Sequence, residues 1–151
     1  MSHNREKNIF FLLVVLVIVT SLIIPVGVEA ATGTIAQPYA SYYLDNYSAY
    51  VYLPGGGEVQ VYFDVQGTRT MDELGALSIK IYESTDKETW TRVVTYTHDS
   101  TSGMLGYDDF FYSSHVTYQG VEGRYYKAYV CIWAGKDGDG DTRYFWTTAK
   151  P

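Results

Sequence analysis

Apolar and polar residues alternate along most of the chain after residue 45. The clearest run, EVQVYFDV at 58–65, places Val59, Val61, Phe63 and Val65 on one side of an extended chain, because successive side chains of a strand point to opposite faces. No segment after residue 30 repeats its apolar residues at the 3.6-residue spacing of an amphipathic helix. The pattern therefore predicts strands.

The same alternation predicts about seven strands, separated by glycine, proline and polar clusters that favour turns. They cover 47–53, 58–65, 76–84, 89–98, 110–120, 123–135 and 142–149. We interpret the polar stretch 66–75 as a connection that holds at most one helical turn. Short connections without crossover helices predict an all-β fold, a single antiparallel β-sandwich in one domain, 31–151.

Pleat parity also predicts which side chains form the core. One face of each strand is more apolar than the other, and that face should point inward. The predicted core residues are Val61, Phe63, Ile79, Ile81, Trp90, Ala128, Val130 and Ile132.

The first 30 residues are interpreted as a secretory signal peptide. Arg5 and Lys7 precede a long apolar run, and Val28 and Ala30 place small residues before a cleavage point. Cleavage after Ala30 predicts a secreted, extracellular protein with no membrane contact. The apolar run is also long enough for a membrane span, so an uncleaved membrane anchor is the alternative.

Composition limits the classes of partner. Residues 1–30 contain two basic and two acidic residues, so the chain from residue 31 keeps the whole-chain net charge of −6. An acidic domain lacks the positive surface that attracts phosphate backbones, which argues against nucleic-acid binding. All 16 tyrosines follow residue 30, and aromatic residues favour strands.

Cys131 is the only cysteine, so the chain has no internal disulfide. An exported domain of this kind must be stabilised by its core alone. Cys131 itself is interpreted as a small buried apolar residue, with an intermolecular disulfide as the alternative.

The stretch VEGRYYKAYV at 121–130 resembles the start of the sixth strand of immunoglobulin and fibronectin type III sandwiches. In those folds a tyrosine hydroxyl bonds back to the backbone of the preceding corner. The resemblance implies an immunoglobulin-like sandwich, with Tyr126 as the corner residue and Tyr125 as the second candidate.

Longer stretches resemble a family of uncharacterised small secreted proteins from Clostridia-type Gram-positive bacteria. They are YLPGGGEVQVYFDVQGT, MDELGALSIKIYES, TWTRV and VTYQGVEGRYYKAYVCIWAGKDGDGDTRY. The resemblance covers most of the chain and implies a signal peptide followed by a sandwich. It implies no activity.

The acidic segment GKDGDGDTRY at 135–144 holds Asp137, Asp139 and Asp141. It lacks the glycine at position six and the glutamate at position twelve of an EF-hand loop, while Gly138 and Gly140 suit a tight hairpin connection. We therefore interpret it as a turn. The three aspartates remain a weak candidate metal site, and no cofactor is expected.

A strip of aromatic residues is the candidate ligand-binding site. If Ala128, Val130 and Ile132 face the core, Tyr129 and Trp133 face the other way. The next strand adds either Tyr144 and Trp146 or Arg143 and Phe145, depending on a register that the sequence leaves open. Tyr129, Trp133, Tyr144 and Trp146 together would form a surface on which sugar rings can stack.

We expect a non-catalytic module that binds an extracellular glycan, a cell-wall component or a protein. His98 and His115 are the only histidines after residue 30, and no GxSxG motif accompanies them. The alternative is a small secreted enzyme or inhibitor whose site is built from loops.

Overall fold

The computed structural model describes residues 41–149, except for the side chain of Thr148. The signal peptide predicted at 1–30, its cleavage point and residues 31–40 lie outside the described residues. The described residues belong to one compact unit. They contain six strands and no helix, so the all-β prediction is confirmed.

The six strands form one antiparallel sheet. They are β1 (Leu44–Gly55), β2 (Glu58–Ser84), β3 (Thr91–Thr97), β4 (Leu105–Gln119), β5 (Tyr125–Lys136) and β6 (Asp139–Thr148). β2 pairs with β1, β3, β4 and β5, and β5 pairs with β6. The sheet is therefore organised around β2.

β2 merges two of the predicted strands, 58–65 and 76–84, into one strand of 27 residues. The helical turn suggested for 66–75 is wrong, because this segment continues the strand and pairs with both β4 and β5. A straight strand of that length would extend roughly 90 Å, so β2 must curl to share one core. Register shifts between Gln66 and Met71 and between Ala76 and Ser78 mark the irregular part, where bulges bend a strand.

The core lies inside this curled sheet. The N-terminal half of β2 contributes Val61 and Phe63, and its C-terminal half contributes Ile79 and Ile81. Seven of the eight predicted core residues have no exposed surface. They pack with further buried residues such as Leu74 and Met104 in a single cluster.

Trp90 is the predicted core residue for which the prediction is wrong. It precedes β3, because the last paired position of the β2–β3 hairpin joins Glu83 to Thr91. Its indole Nε1 donates a hydrogen bond to the carbonyl of Lys87 at 3.1 Å. The side chain is half-buried on the outside of the sheet.

Tyr126 makes the corner hydrogen bond that the sequence predicted. Its hydroxyl accepts from the amide of Val121 at 2.7 Å and lies 3.2 Å from the carbonyl of the same residue, to which it donates. Gly120 is required here, because a Cβ at this position would lie 2.4 Å from the Tyr126 hydroxyl. The contact fixes the turn that leads into β5.

Candidate functional site

The pairing of β5 with β6 decides which residues share a face. Val130, which is buried, lies opposite Phe145, whereas Tyr129 lies opposite Trp146 and Cys131 opposite Tyr144. Directly opposed residues of antiparallel strands project to the same side. Tyr144 and Trp146 therefore lie with Tyr129 on the outer face, and Phe145 faces the core beside Tyr47, with ring centroids 5.3 Å apart.

The outer face carries a connected group of rings, which we call the aromatic strip: Tyr82, Tyr129, Tyr144 and Trp146. The Tyr129 ring lies 4.9 Å from that of Trp146 and is stacked at 6.0 Å on that of Tyr144. Tyr82 of β2 adds a third contact, with its ring 5.0 Å from Trp146. Tyr144 is 62% exposed and Trp146 is 49% exposed, so the strip offers ring surface to solvent.

Sequence reasoning missed Tyr82 as a member of the strip. Its place depends on the pairing of β2 with β5, which puts Tyr82 opposite Lys127. The alternation within 76–84 assigns Tyr82 to the outer side, but it does not say which strand lies next to it.

Trp133, the fourth residue predicted for the strip, packs differently from the other three. Its ring lies against the backbone of Gly135 and Gly140, where an added Cβ would come within 2.4 Å of ring atoms. Its Nε1 is buried and has no hydrogen-bond partner among residues 41–149. Trp133 thus covers the β5–β6 hairpin, and none of the ring contacts described for the strip involves it.

Two lysines accompany the strip. Lys127 Nζ lies 4.3 Å from the ring centroid of Trp90 and 4.5 Å from that of Trp146. Lys80 Nζ lies 6.0 Å from the ring centroid of Tyr129. Ammonium groups are attracted to the negative face of an aromatic ring at these distances, so the rings hold both charges beside the strip.

The β2–β3 hairpin holds Trp90 beside this group. Asp86 accepts hydrogen bonds from the amides of Glu88 and Thr89, both at 2.8 Å, and from the hydroxyl of Ser84 at 2.8 Å. These donors favour the carboxylate and lower the pKa of Asp86 to about 2. A fixed hairpin keeps the indole of Trp90 within reach of Lys127.

Cys131 lies on the same face but is buried, with 4% of its surface exposed. It is opposite Ser78 on one side and Tyr144 on the other. Burial raises the pKa of its thiol, which keeps the sulfur in its less reactive neutral form. This agrees with its interpretation as a small buried residue.

The acidic segment contains a two-residue hairpin turn, which joins the end of β5 to the start of β6. Lys136 pairs with Asp139, and the two residues between them have positive φ angles, 56° at Asp137 and 82° at Gly138. These angles are those of a type I′ turn, which matches the twist of a hairpin.

The three aspartates of the segment have separate contacts. The backbone amide of Asp137 donates to Asp72 at 2.7 Å, and Asp139 accepts from the hydroxyl of Tyr43 at 3.2 Å. Asp141 accepts from the hydroxyl of Ser41 and from the amides of Tyr42 and Tyr43, both at 3.1 Å. The hydroxyl of Ser41, followed by these amides, lowers the pKa of Asp141. Within 41–149, no group of three or more His, Cys, Asp or Glu is placed to hold a metal ion.

The segment 31–46 could have covered the strip, and its described part lies elsewhere. Residues 41–43 bind Asp141, which is opposite the buried Ala134 and so on the core-facing side of β6. Residues 41–43 therefore do not cover the strip.

His98 and His115 contact different residues. His115 of β4 stacks on Tyr62 with ring centroids 4.9 Å apart, and His98 follows β3 with its Nε2 3.7 Å from Asp99. Across residues 41–149 no helix is long and apolar enough to cross a membrane.

Comparison with known proteins finds distant structural similarity. No family model and no curated protein matches the sequence. Among solved structures, the chain is similar to Spo0M, the sporulation control protein from Bacillus subtilis, with a TM-score of 0.40 and 10% sequence identity. The match covers 75% of this chain and 51% of Spo0M, so this chain spans about half the length of that protein. A similarity at this level carries no argument about function.

Proposed function

We propose that this chain is a secreted, non-catalytic β-sandwich module that binds an extracellular glycan through the aromatic strip. The observation that carries the proposal is the row of rings that crosses β2, β5 and β6 and leaves Tyr144 and Trp146 about half exposed or more. Large contiguous patches of exposed apolar surface are uncommon on soluble proteins and often mark binding sites.

Stacking explains why a saccharide suits this surface. One side of a sugar ring presents C–H groups, which pack against the negative face of an aromatic ring. Neighbouring strands lie about 4.8 Å apart, so rings on β5 and β6 can contact the same sugar or successive sugars. The hydroxyls at the sugar edge remain free for water or for nearby polar side chains.

The sandwich part of the proposal is supported by the course of β2. Its first half pairs with β1 and β4, and its second half pairs with β3 and β5. Residues of both halves meet in one core. Hydrogen bonds also join β3 to β4 and β6 to β1. The Tyr96 hydroxyl donates to the Thr117 carbonyl at 2.7 Å, and the Thr147 hydroxyl donates to the Ala49 carbonyl at 2.8 Å.

Export rests on residues 1–30 alone. The basic start, apolar run and small residues before Ala31 predict cleavage there. N-terminal sequencing of protein recovered from the medium of cells expressing the whole chain should begin at Ala31 or within a residue or two. Protein that retains Met1 and stays with the membrane would support an anchor instead.

Trp146→Ala tests the site. We expect binding to the best ligand in a panel of soluble polysaccharides and cell-wall preparations to weaken at least tenfold, or about 1.4 kcal/mol. The fold should survive, because a cross-strand aromatic pair contributes roughly 0.2–1 kcal/mol. Affinity electrophoresis and a melting curve measure the two effects.

Tyr62→Ala is the matched control. Tyr62 also lies on an outward-facing row of rings, stacked at 5.1 Å on Tyr50 and at 4.9 Å on His115, but these residues belong to β1, β2 and β4. Its removal should leave binding unchanged. If Trp146→Ala lowers only the melting temperature, or if no glycan in the panel is bound, the proposal is wrong. Turnover of a chromogenic ester, peptide or glycoside that one loop substitution abolishes would favour the small enzyme.

A further inference from the structure

We infer that the saccharide taken by the aromatic strip is anionic, carrying carboxylate, sulfate or phosphate groups. The inference rests on the proposed function, because it names the ligand class of the same surface. It comes from the distribution of charge around the strip and not from the rings themselves.

The part of the outer face that surrounds the strip holds basic residues and no acidic ones. Lys80 and Lys127 project there with Tyr129, and Arg92 lies opposite Tyr82. At the described strand positions within 75–84, 91–97, 125–133 and 140–147 that share this face, no aspartate or glutamate occurs. Glu73 of β2 also shares the face, but it lies opposite Gly135, six positions along β5 from Tyr129. The whole chain has 17 acidic and 11 basic residues, so the positive charge beside the strip is opposite in sign to the net charge of the chain.

The outward row around Tyr62 shows the reverse arrangement. Glu58 and Asp64 share that face, and the described positions of β1, β2 and β4 beside them include no lysine or arginine. Asp64 accepts hydrogen bonds from Ser48 at 3.0 Å and Ser113 at 2.6 Å. Positive charge is therefore a property of the strip's face and not of exposed sheet surface in general.

The two lysines of the strip have no carboxylate partner among the described residues. The ion pairs found there join His98 to Asp99, Arg124 to Glu83, Lys136 to Asp72 and Arg143 to Asp141. Lys80 and Lys127 contact rings instead. An incoming anion would therefore gain their charge without breaking an existing ion pair.

The position of the ammonium groups matches a charged substituent on a stacked sugar. Lys127 Nζ lies 4.5 Å from the ring centre of Trp146, which is itself 4.9 Å from the ring of Tyr129. A sugar stacked on either ring would place its exocyclic group at the edge of the ring, within reach of a flexible lysine. The lysine ammonium is a compact positive charge with three hydrogen-bond donors, so it can bind a carboxylate, a sulfate or a phosphate.

A matched pair of polymers separates charge from stacking. Polygalacturonate and its methyl ester have the same backbone, and only the first is charged. We expect the full chain to bind polygalacturonate about tenfold more tightly in 50 mM salt, with the preference shrinking in 500 mM salt as exposed charges are screened. Dextran sulfate and dextran form a second pair that replaces carboxylate by sulfate.

The double variant Lys80→Gln/Lys127→Gln should lose the preference for the acidic polymer of each pair while retaining its affinity for the neutral one. Lys136→Gln is the control, because Lys136 is paired with Asp72 at 2.8 Å and lies away from the strip at the end of β5. It should bind like the parent. Melting curves confirm that all variants are folded.

The outcomes separate this inference from the proposed function. Equal affinity for the charged and neutral polymers of both pairs, lost in Trp146→Ala, would overturn the anionic class and leave glycan binding intact. An acidic preference that survives Lys80→Gln/Lys127→Gln would also overturn it. Binding that Trp146→Ala does not change would overturn the proposed function itself.

Discussion

Phe63→Ala is expected to lower the free energy of unfolding by about 3–5 kcal/mol. Phe63 has no exposed surface and lies in the core where both halves of β2 meet. Its removal loses the free energy gained by burying the ring away from water. It also leaves a cavity, which the paired strands on both sides of β2 cannot close. A drop in melting temperature on the order of 10–20 °C should follow for a domain of this size, measured by circular dichroism or calorimetry.

Phe110→Ala is the control for this change. Phe110 is 57% exposed on β4, so the same ring is removed where most of it already contacts water. Surface substitutions of this kind usually change stability by no more than about 0.5 kcal/mol. If the two variants melt at the same temperature, Phe63 does not occupy the centre of the core.

The alternation of the sequence was sufficient for most of the core and for the face of Tyr129. In 58–65 and 125–132 one phase is apolar at every position and the other is not, so pleat parity has one solution. Trp90 was misplaced because parity was extended past the end of the pairing, which stops at Thr91. A large apolar residue next to a hairpin can pack on the outer side, and the pattern alone does not distinguish the two cases.

β2 could not be recognised as one strand, because its inward parity changes along its length. The buried apolar side chains are odd-numbered from Val59 to Met71, even-numbered at Leu74 and Ala76, and odd-numbered again at Ile79 and Ile81. The register shifts at 66–71 and 76–78 produce these changes. A period-two search reads such a segment as a break, although backbone pairing continues through it.

The register of β6 was left open because each phase of TRYFWTT contains an aromatic residue together with polar ones. The turn contains the missing information. Asp137 and Gly138 are a two-residue type I′ sequence, and pairing Lys136 with Asp139 brings Tyr129 opposite Trp146 when both strands are followed back from the turn. The turn sequence could thus have predicted which residues of β6 lie beside Tyr129.

The positive charge beside the strip could not be predicted from the sequence. Lys80 and Lys127 are distant in the chain, and they lie beside different rings of the one strip, Tyr129 and Trp146, only because β2 pairs with β5. The net charge argues against a phosphate backbone as partner, but it does not reveal a local surface of the opposite sign. Long-range pairing, and not composition, decides which charges a ligand meets.

Gly75→Ala is the second substitution with a large expected effect, a loss of about 2–6 kcal/mol in the free energy of unfolding. Gly75 has a φ of +148°, which L-residues rarely adopt, and holding alanine in such a conformation costs about 1–3 kcal/mol. An added Cβ would also lie 2.2 Å from the carbonyl oxygen of Met104. That oxygen accepts a hydrogen bond from the amide of Ala76 at 2.8 Å, so moving it weakens this hydrogen bond. Relieving the clash costs a further amount of about 1–3 kcal/mol.

Gly123→Ala separates these two causes. Gly123 also has a positive φ, +81°, but no atom lies within 4 Å of an added Cβ, so this variant carries backbone strain without the clash. We expect it to lose about 1 kcal/mol, measured with the same denaturant titration as Gly75→Ala. Gly75 lies between β4 and β5, opposite Leu105 and Trp133, and close approach of β2 to the Met104 carbonyl is possible only without a side chain. Equal losses in the two variants would show that the Gly75 position tolerates a Cβ and that β2 does not pass this close to Met104.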